Sequence, residues 1–184
     1  MAYYSRGALT AVMLVLVASA GWANDAHDAV RFVATFQTTS WVNLTSPAGR
    51  CAATAVPLLE AVGAGDTNLL GVVFDKQSHC IGSPDKDGIP FDKGEFTLTS
   101  PHGKTVEGQY FGRLVLTFNS KFGPPPSGNW QIKGYVCIAK VAGRTVSDCS
   151  QPPKNYSPAR GMSDLNPKNG APASIFIDQW IRFK

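Results

Sequence analysis

The stretch from Phe91 to Phe118 constrains the fold more than any other part of the chain. It holds two β-rich runs separated by residues 100–104 (SPHGK), a turn-forming cluster of hairpin length. On the second run the even positions are apolar or glycine, and the odd positions are polar except Phe111 and Val115. Because alternate side chains of a strand face opposite sides of a sheet, this pattern predicts a hairpin with one apolar and one solvated face.

The beginning of the chain has the pattern of an export signal. Arg6 supplies a positive charge, and a short apolar run and small residues follow it, as in a secretory signal peptide. A retained membrane anchor is the alternative, but the apolar run is short for a spanning helix. We predict a signal peptide over residues 1–23, a single domain over residues 24–184, and a secreted or periplasmic protein with no membrane span after signal cleavage.

The charge and composition favour strands and do not indicate a nucleic-acid partner. The formal net charge is +4, and the chain has no run of lysine or arginine that would form a nucleic-acid groove. Charged residues make up only 16% of the chain, whereas serine, threonine, glycine and proline are abundant. A domain of strands and turns explains this composition better than a helical bundle does. Asn43 and Asn155 begin glycosylation-acceptor triplets, which matter only in a cell that glycosylates.

Four cysteines follow the signal segment: Cys51, Cys80, Cys137 and Cys149. An even number in an exported chain predicts two disulfides, with metal ligation or a nucleophilic thiol as the alternatives. Three pairings are possible. We expect Cys51–Cys80 and Cys137–Cys149, because each bond closes a local loop and a turn near residues 141–144 would bring the second pair nearly opposite each other.

Other segments extend the β pattern. Alternating or β-branched runs predict strands near residues 30–37, 130–138 and 174–183. Residues 52–64 are small and apolar, and could form a short helix or a strand. Residues 150–173 contain five prolines and no periodic pattern, which predicts a long Pro-rich loop near the C-terminus.

Three consecutive pieces carry a resemblance to a known family. They are GEFTLT at residues 94–99, the turn SPHGK at 100–104, and GQYFG at 108–112. In this order, after the run LLGVVFDKQSHCI, they resemble bacterial secreted proteins with an allene-oxide-cyclase-like β-barrel domain. The resemblance implies an all-β fold, an eight-stranded antiparallel β-barrel of the kind also seen in dirigent proteins. It implies no activity, because no motif matches the functional residues of the plant cyclase.

The polar residues form no recognisable catalytic or metal-binding motif. The histidines His27, His79 and His102 lack metal-ligand spacing, and no serine lies in a Gly-x-Ser-x-Gly context. His79 precedes Cys80 at a strand end, where a structural role is favoured. Residues 85–88 (DKDG) are similar to the start of a calcium loop, but ordinary turns with solvated acids are favoured. We therefore predict no catalytic residue, no cofactor and no metal.

The barrel interior is the remaining candidate site. An eight-stranded barrel can be filled by its own side chains or can hold one small ligand, and a packed interior is the default. Glycines at 108, 112 and 134 could leave room or could only permit close packing. The candidate ligand contacts share the inward parity: Phe32, Phe36, Phe96, Leu98, Tyr110, Leu114, Trp130 and Ile132.

The leading hypothesis is an exported, disulfide-stabilised binding or interaction protein, with a small apolar ligand or a protein as its partner. A cyclase- or isomerase-like enzyme acting on an apolar substrate and a structural or adhesive surface protein are the alternatives. The interior discriminates among them. An open cavity with a convergent polar group favours the enzyme, a dry apolar cavity favours a carrier, and a filled interior would leave only the outer surface.

Overall fold

The computed structural model describes residues 29–44, 49–54, 56–116, 129–164 and 173–184. The predicted signal peptide and His27 lie outside the described residues. Within these ranges there is no helix of the length and hydropathy that crossing a bilayer requires.

The described chain consists of strands and one short 3-10 helix, Gly49–Thr54. All strand pairings are antiparallel. The strands are β1 (Val30–Leu44), β2 (Leu58–Thr67), β3 (Gly71–Ile81), β4 (Ile89–Thr99), β5 (Thr105–Leu116), β6 (Asn129–Val141), β7 (Arg144–Thr145), β8 (Ser157–Asp164) and β9 (Ala173–Ile181).

Eight of these strands close into a barrel. Their order is β5-β4-β3-β2-β1-β9-β8-β6, and β5 also pairs with β6, which completes the ring. The closing pair runs from Val106 opposite Val141 to Leu116 opposite Trp130. β7 is a two-residue extension of the sheet beside the end of β6. The predicted all-β, eight-stranded antiparallel barrel is confirmed.

The predicted hairpin is the β4–β5 pair. The backbone N–H of Ser100 donates to the carbonyl of Lys104 at 2.8 Å, and Gly103 adopts a φ of 76°, which a glycine accepts without strain. Phe111, an exception to the alternation, stacks on Tyr135 of β6 with ring centroids 5.4 Å apart. Its apolar ring is therefore covered by a side chain of the neighbouring strand.

The barrel interior has a packed half at the end where β1 begins and β9 finishes. Cross-strand neighbours fill this half with large side chains, and Phe183 packs against it after the last strand. The guanidinium of Arg144 lies 4.3 Å from the centre of the Phe183 ring, which makes a cation–π contact at this end of the barrel. The fully buried side chains here include Phe32, Val73, Leu98, Val106, Ile138 and Val141.

The structure of one segment differs from its prediction, and the structure of another decides between two predicted alternatives. The predicted loop over residues 150–173 contains strand β8, so that prediction was wrong for residues 157–164. The inward residues of β8 are Ala159, Gly161 and Ser163, and such small side chains leave no hydrophobic periodicity to detect. Residues 52–64, left open as a helix or a strand, divide between the 3-10 helix and β2.

Both expected disulfide pairings are confirmed. Cys51 on the 3-10 helix is bonded to Cys80 on β3, with Cα atoms 5.5 Å apart. Cys137 on β6 is bonded to Cys149, with Cα atoms 5.8 Å apart. The second bond fastens the segment after β7 onto the outer face of the closing strand pair.

Removing the Cys137–Cys149 bond is expected to lower the free energy of unfolding substantially. The two cysteines are 12 residues apart, and the chain entropy of a loop of that length corresponds to about 3 kcal/mol. Urea unfolding of the Cys137→Ala/Cys149→Ala variant, compared with the wild type, measures the loss. Coincident unfolding curves would show that the bond does not stabilise the fold.

Candidate functional site

The other half of the barrel is hollow. It contains a cavity of about 470 Å³ near the end where β1, β3 and β5 finish. This volume falls in the range of small-molecule sites, about 300–1,000 Å³. The wall is almost wholly apolar, with the side chains of Gln77, His79, Tyr110, Tyr135 and Ser163 as the residues that carry a polar group.

Phe91 and Phe96 on β4 form one side of the cavity because the neighbouring strand β5 carries glycines opposite them. A Cβ atom at Gly108 would lie 2.6 Å from the ring of Phe96. A Cβ atom at Gly112 would lie 2.8 Å from Cζ of Phe91. Real Cβ atoms do not approach so closely, so these glycines let the two rings lie directly on β5. Their space is thus occupied by the rings, and the cavity lies beyond them.

The predicted ligand contacts divide between the two halves of the barrel. Phe32 and Leu98 are fully buried in the packed half and do not line the cavity. Trp130 is half-buried and is also absent from the lining. The predicted residues that line the cavity are Phe36, Phe96, Tyr110, Leu114 and Ile132.

Three successive inward positions of β3 are polar, a feature that we call the β3 polar column: Asp75, Gln77 and His79. Their exposed fractions are 2%, 3% and 5%. Gln77 and His79 line the cavity, and Asp75 lies one inward position deeper, toward the packed half. The sequence predicts His79 at a strand end, and it does not single out Asp75 or Gln77 as interior residues. One signal in the sequence could have revealed their inward orientation: these residues alternate with Phe74 and Lys76, which face outward.

His79 and Tyr110 form a neutral hydrogen-bonded pair in the cavity wall. Nδ1 of His79 lies 2.8 Å from the hydroxyl oxygen of Tyr110. Burial lowers the pKa of His79 to about 4, and the positive charge of Arg50 acts in the same direction. Burial also raises the pKa of Tyr110 well above its ordinary value. At neutral pH the pair therefore brings hydrogen-bonding groups to the cavity without a net charge.

The deeper part of the β3 polar column has unmet hydrogen-bonding capacity. Among the described residues, neither carboxyl oxygen of Asp75 has a hydrogen-bond partner, and the same holds for Nε2 of Gln77. Burial raises the pKa of Asp75 to about 7 because the charged form is disfavoured away from water. A buried polar group without a partner costs about 1–3 kcal/mol, so these two residues oppose folding.

The acidic residues of the β3–β4 connection form a turn and an ion pair. The carboxylate of Asp85 pairs with Arg113 on β5 and accepts a 2.8 Å hydrogen bond from the backbone N–H of Asp87. This pairing with Arg113 lowers the pKa of Asp85. Across the part of the chain that the structure describes, no group of three or more His, Cys, Asp or Glu side chains could hold a metal ion. His102 is exposed in the β4–β5 turn.

The closed barrel, its two disulfides and its internal cavity define the class of this protein: a disulfide-stabilised antiparallel β-barrel that is hollow at one end. Comparison with protein families, with curated proteins and with solved structures finds no match. The cavity and the polar side chains in its wall are therefore the features that bear on function.

Proposed function

We propose that this protein binds a small, mostly apolar molecule inside the barrel, with the polar group of the ligand directed toward the β3 polar column. The observation that carries the proposal is a cavity with an apolar wall and one polar side, formed by Gln77 and the His79–Tyr110 pair. Transfer of apolar surface out of water contributes about 25 cal/mol per Å². A polar group on the ligand needs a hydrogen-bonding partner when it is buried, and this side of the cavity offers one.

An acid–base isomerase or cyclase acting on an apolar substrate is the second candidate. Asp75 favours it, because a carboxyl group with a pKa of about 7 can accept or give a proton near neutral pH. We favour binding because Asp75 does not line the cavity, and because His79 and Tyr110 are hydrogen-bonded to each other. Conversion of an added apolar substrate into an isomer of the same mass, separated from the substrate by chromatography before mass spectrometry, would support the enzyme instead.

Export and family membership are further parts of the proposal. Two disulfides are typical of proteins that mature outside a reducing cytosol, which supports secretion or a periplasmic location. The closed eight-stranded antiparallel barrel is the fold implied by the resemblance of residues 94–112 to the allene-oxide-cyclase-like family. A fold shared with that family carries no activity to this chain.

Filling the cavity is expected to abolish ligand binding. Ala159 lines the cavity, and an indole at this position would occupy space that the ligand needs. The fluorescent apolar dye N-phenyl-1-naphthylamine should bind the wild type, and its affinity should fall at least about tenfold in Ala159→Trp. Ala64→Trp is the matched control, because Ala64 is exposed on the outer face of β2. Equal dye binding by wild type and Ala159→Trp would place the site outside the barrel.

Native mass spectrometry of protein isolated from its source tests the proposal without a chosen probe. A bound apolar molecule of constant mass, lost in Ala159→Trp and kept in Ala64→Trp, is the expected result.

A further inference from the structure

Three cations lie side by side on the outer face of the barrel. Arg113 on β5 is opposite Lys133 on β6, and Lys133 is opposite Arg160 on β8. Lys133 and Arg160 are exposed, and neighbouring strands are about 4.8 Å apart. We call these three residues the cation row. Each of them comes from a different strand, so the row cannot be detected along the sequence.

The cation row has more positive charge than its surroundings neutralise. One member, Arg113, pairs with Asp85. Among the described residues, neither of the other two members has an ion-pair partner. Asp178 on the next strand, β9, pairs with Arg31 at 2.7 Å. Like charges directly opposite each other destabilise a sheet, so the row favours the binding of an anion.

An aromatic surface lies beside the cation row. Two positions along each strand, Phe111, Tyr135 and Pro158 are opposite one another on the same three strands. The rings of Phe111 and Tyr135 stack with an interplanar angle of 22°, and Tyr135 is 46% exposed. The face of an aromatic ring carries partial negative charge and attracts C–H groups, including those of a sugar ring.

Hydrogen-bonding side chains lie on the other side of the cation row. Gln131, Met162, Ser174 and Gln37 follow one another across β6, β8, β9 and β1. Three of these four carry an amide or a hydroxyl group, which can donate and accept hydrogen bonds. An open groove of about 570 Å³ between β6 and β8 is lined by members of all three rows. The groove therefore combines cationic, aromatic and hydrogen-bonding groups.

This combination separates the classes of anionic partner. An acidic peptide can add a strand to the edge of a sheet, but β6 is already paired on both sides, with β5 and β8. Duplex DNA carries one negative charge for about every 1.7 Å of its axis, far denser than cations about 4.8 Å apart. A lipid surface favours an apolar face, and the row of amides and hydroxyls would have to enter the lipid with it.

We propose that the groove between β6 and β8 binds an acidic polysaccharide, whose carboxylates pair with Lys133 and Arg160 while a sugar ring packs on Tyr135. The planar guanidinium of Arg160 can bind a carboxylate through two hydrogen bonds. The spacing of neighbouring strands, about 4.8 Å, is roughly the length of one sugar in an extended chain. Successive carboxylates of a polyuronate can therefore meet successive cations. Lys133 and Arg160 do not line the cavity inside the barrel, so this function is independent of ligand binding there.

Binding of oligogalacturonate and of its methyl ester, measured by isothermal titration calorimetry at low salt, tests the proposal. The two ligands have the same sugar chain, and the ester lacks the negative charges. The wild type is expected to bind the acid at least about tenfold more tightly than the ester.

A pair of double variants locates the site. Lys133→Gln/Arg160→Gln should lose at least about tenfold in affinity for oligogalacturonate. Lys76→Gln/Lys104→Gln removes the same charge from exposed positions on β3 and in the β4–β5 turn, and its affinity should stay within about twofold of the wild type. Urea unfolding checks the fold of each variant. Lys133→Gln/Arg160→Gln should be no less stable than the wild type, because it removes like-charged neighbours.

Two variants of Tyr135 test the contact with the sugar ring. Tyr135→Phe keeps the aromatic ring and should bind as the wild type does. Tyr135→Leu still covers Phe111 but has no flat ring, and it should lose about fivefold in affinity. Equal affinities of these two variants would remove the ring contact and overturn the assignment to a polysaccharide.

Other results would also overturn the proposal. Absence of binding, or equal affinities for the acid and the ester, would show that the groove does not bind carboxylates of a polysaccharide. Equal losses in the two double variants would show an attraction to net positive charge without a site. Tighter binding of polyglutamate, duplex DNA or phosphatidylglycerol vesicles than of oligogalacturonate would assign the surface to another class of partner.

Discussion

Replacing Asp75 by asparagine is expected to raise the free energy of unfolding by up to about 4 kcal/mol above pH 7 and to change it little below pH 4. Burial raises the pKa of Asp75 from its ordinary value of 3.8 to about 7. The two pKa values differ by about three, and a difference of one in pKa corresponds to about 1.36 kcal/mol. Asparagine has nearly the same shape and cannot ionise, so it removes this penalty and keeps the packing.

The sign of the Asp75 effect follows from proton binding. Between pH 3.8 and about 7 the folded protein keeps the Asp75 proton and the unfolded chain releases it, so Asp75 makes stability fall as the pH rises. Urea unfolding at pH 4, 5.5, 7 and 8 measures the difference between variant and wild type. Asp66→Asn, at an exposed position on β2, is the control for loss of a carboxylate. A difference that does not grow with pH would show that Asp75 ionises freely in the folded protein.

Replacing His79 by asparagine is expected to remove a contribution of about 3.4 kcal/mol to the free energy of unfolding. The pH dependence of this contribution is opposite to that of Asp75. Burial, with a contribution from Arg50, lowers the pKa of His79 from its ordinary value of 6.5 to about 4. Between these pH values the unfolded chain binds a proton that the folded protein does not. The stability associated with neutral His79 is therefore complete above pH 6.5 and is lost as the pH falls toward 4.

The His79→Asn variant should consequently lose less stability than the wild type on acidification from pH 6.5 to 4. Asparagine preserves a polar atom near Nδ1 that can hydrogen-bond to Tyr110. The change in unfolding free energy between the two pH values is the quantity to compare, because it excludes any pH-independent packing loss. His102→Asn, in an exposed turn, should match the wild type. Identical acid profiles for His79→Asn and the wild type would contradict the assignment.

Asp75 and His79 together predict a characteristic pattern. Their contributions change with opposite sign over nearly the same pH range, so they largely cancel in the wild type between pH 4 and 6.5. The Asp75→Asn variant should become more stable with rising pH in that range, and the His79→Asn variant less stable. Other carboxylates contribute equally to all three proteins and disappear from the comparison.

The parts of the fold that depend on residues close together in the sequence were predictable from the sequence. The β4–β5 hairpin follows from a turn cluster between two alternating runs, and the Cys137–Cys149 bond follows from a short loop across a turn. Strand β8 was missed because the inward residues Ala159, Gly161 and Ser163 are too small to mark an apolar face. Its pairing with β6 and β9 stabilises it where its own sequence pattern does not.

The candidate site was only partly predictable. The inward parity identified cavity residues such as Phe36 and Leu114, but it could not separate them from Phe32 and Leu98 in the packed half. The β3 polar column escaped because interior positions are expected to be apolar. Its alternation of Asp75, Gln77 and His79 is visible in the sequence, yet polar alternate residues are normally assigned to the solvated face.

By itself the sequence determined which segments are extended, which face of most strands is apolar, and which cysteines lie close enough along the chain to pair. These properties depend on local backbone preference and on the two-residue period of a strand. Only the tertiary structure decided that one half of the barrel is packed and the other hollow, and that Asp75, Gln77 and His79 face the interior. The reason is physical: the space inside a barrel depends on which side chains meet across it, and that is set by strand order, register and closure.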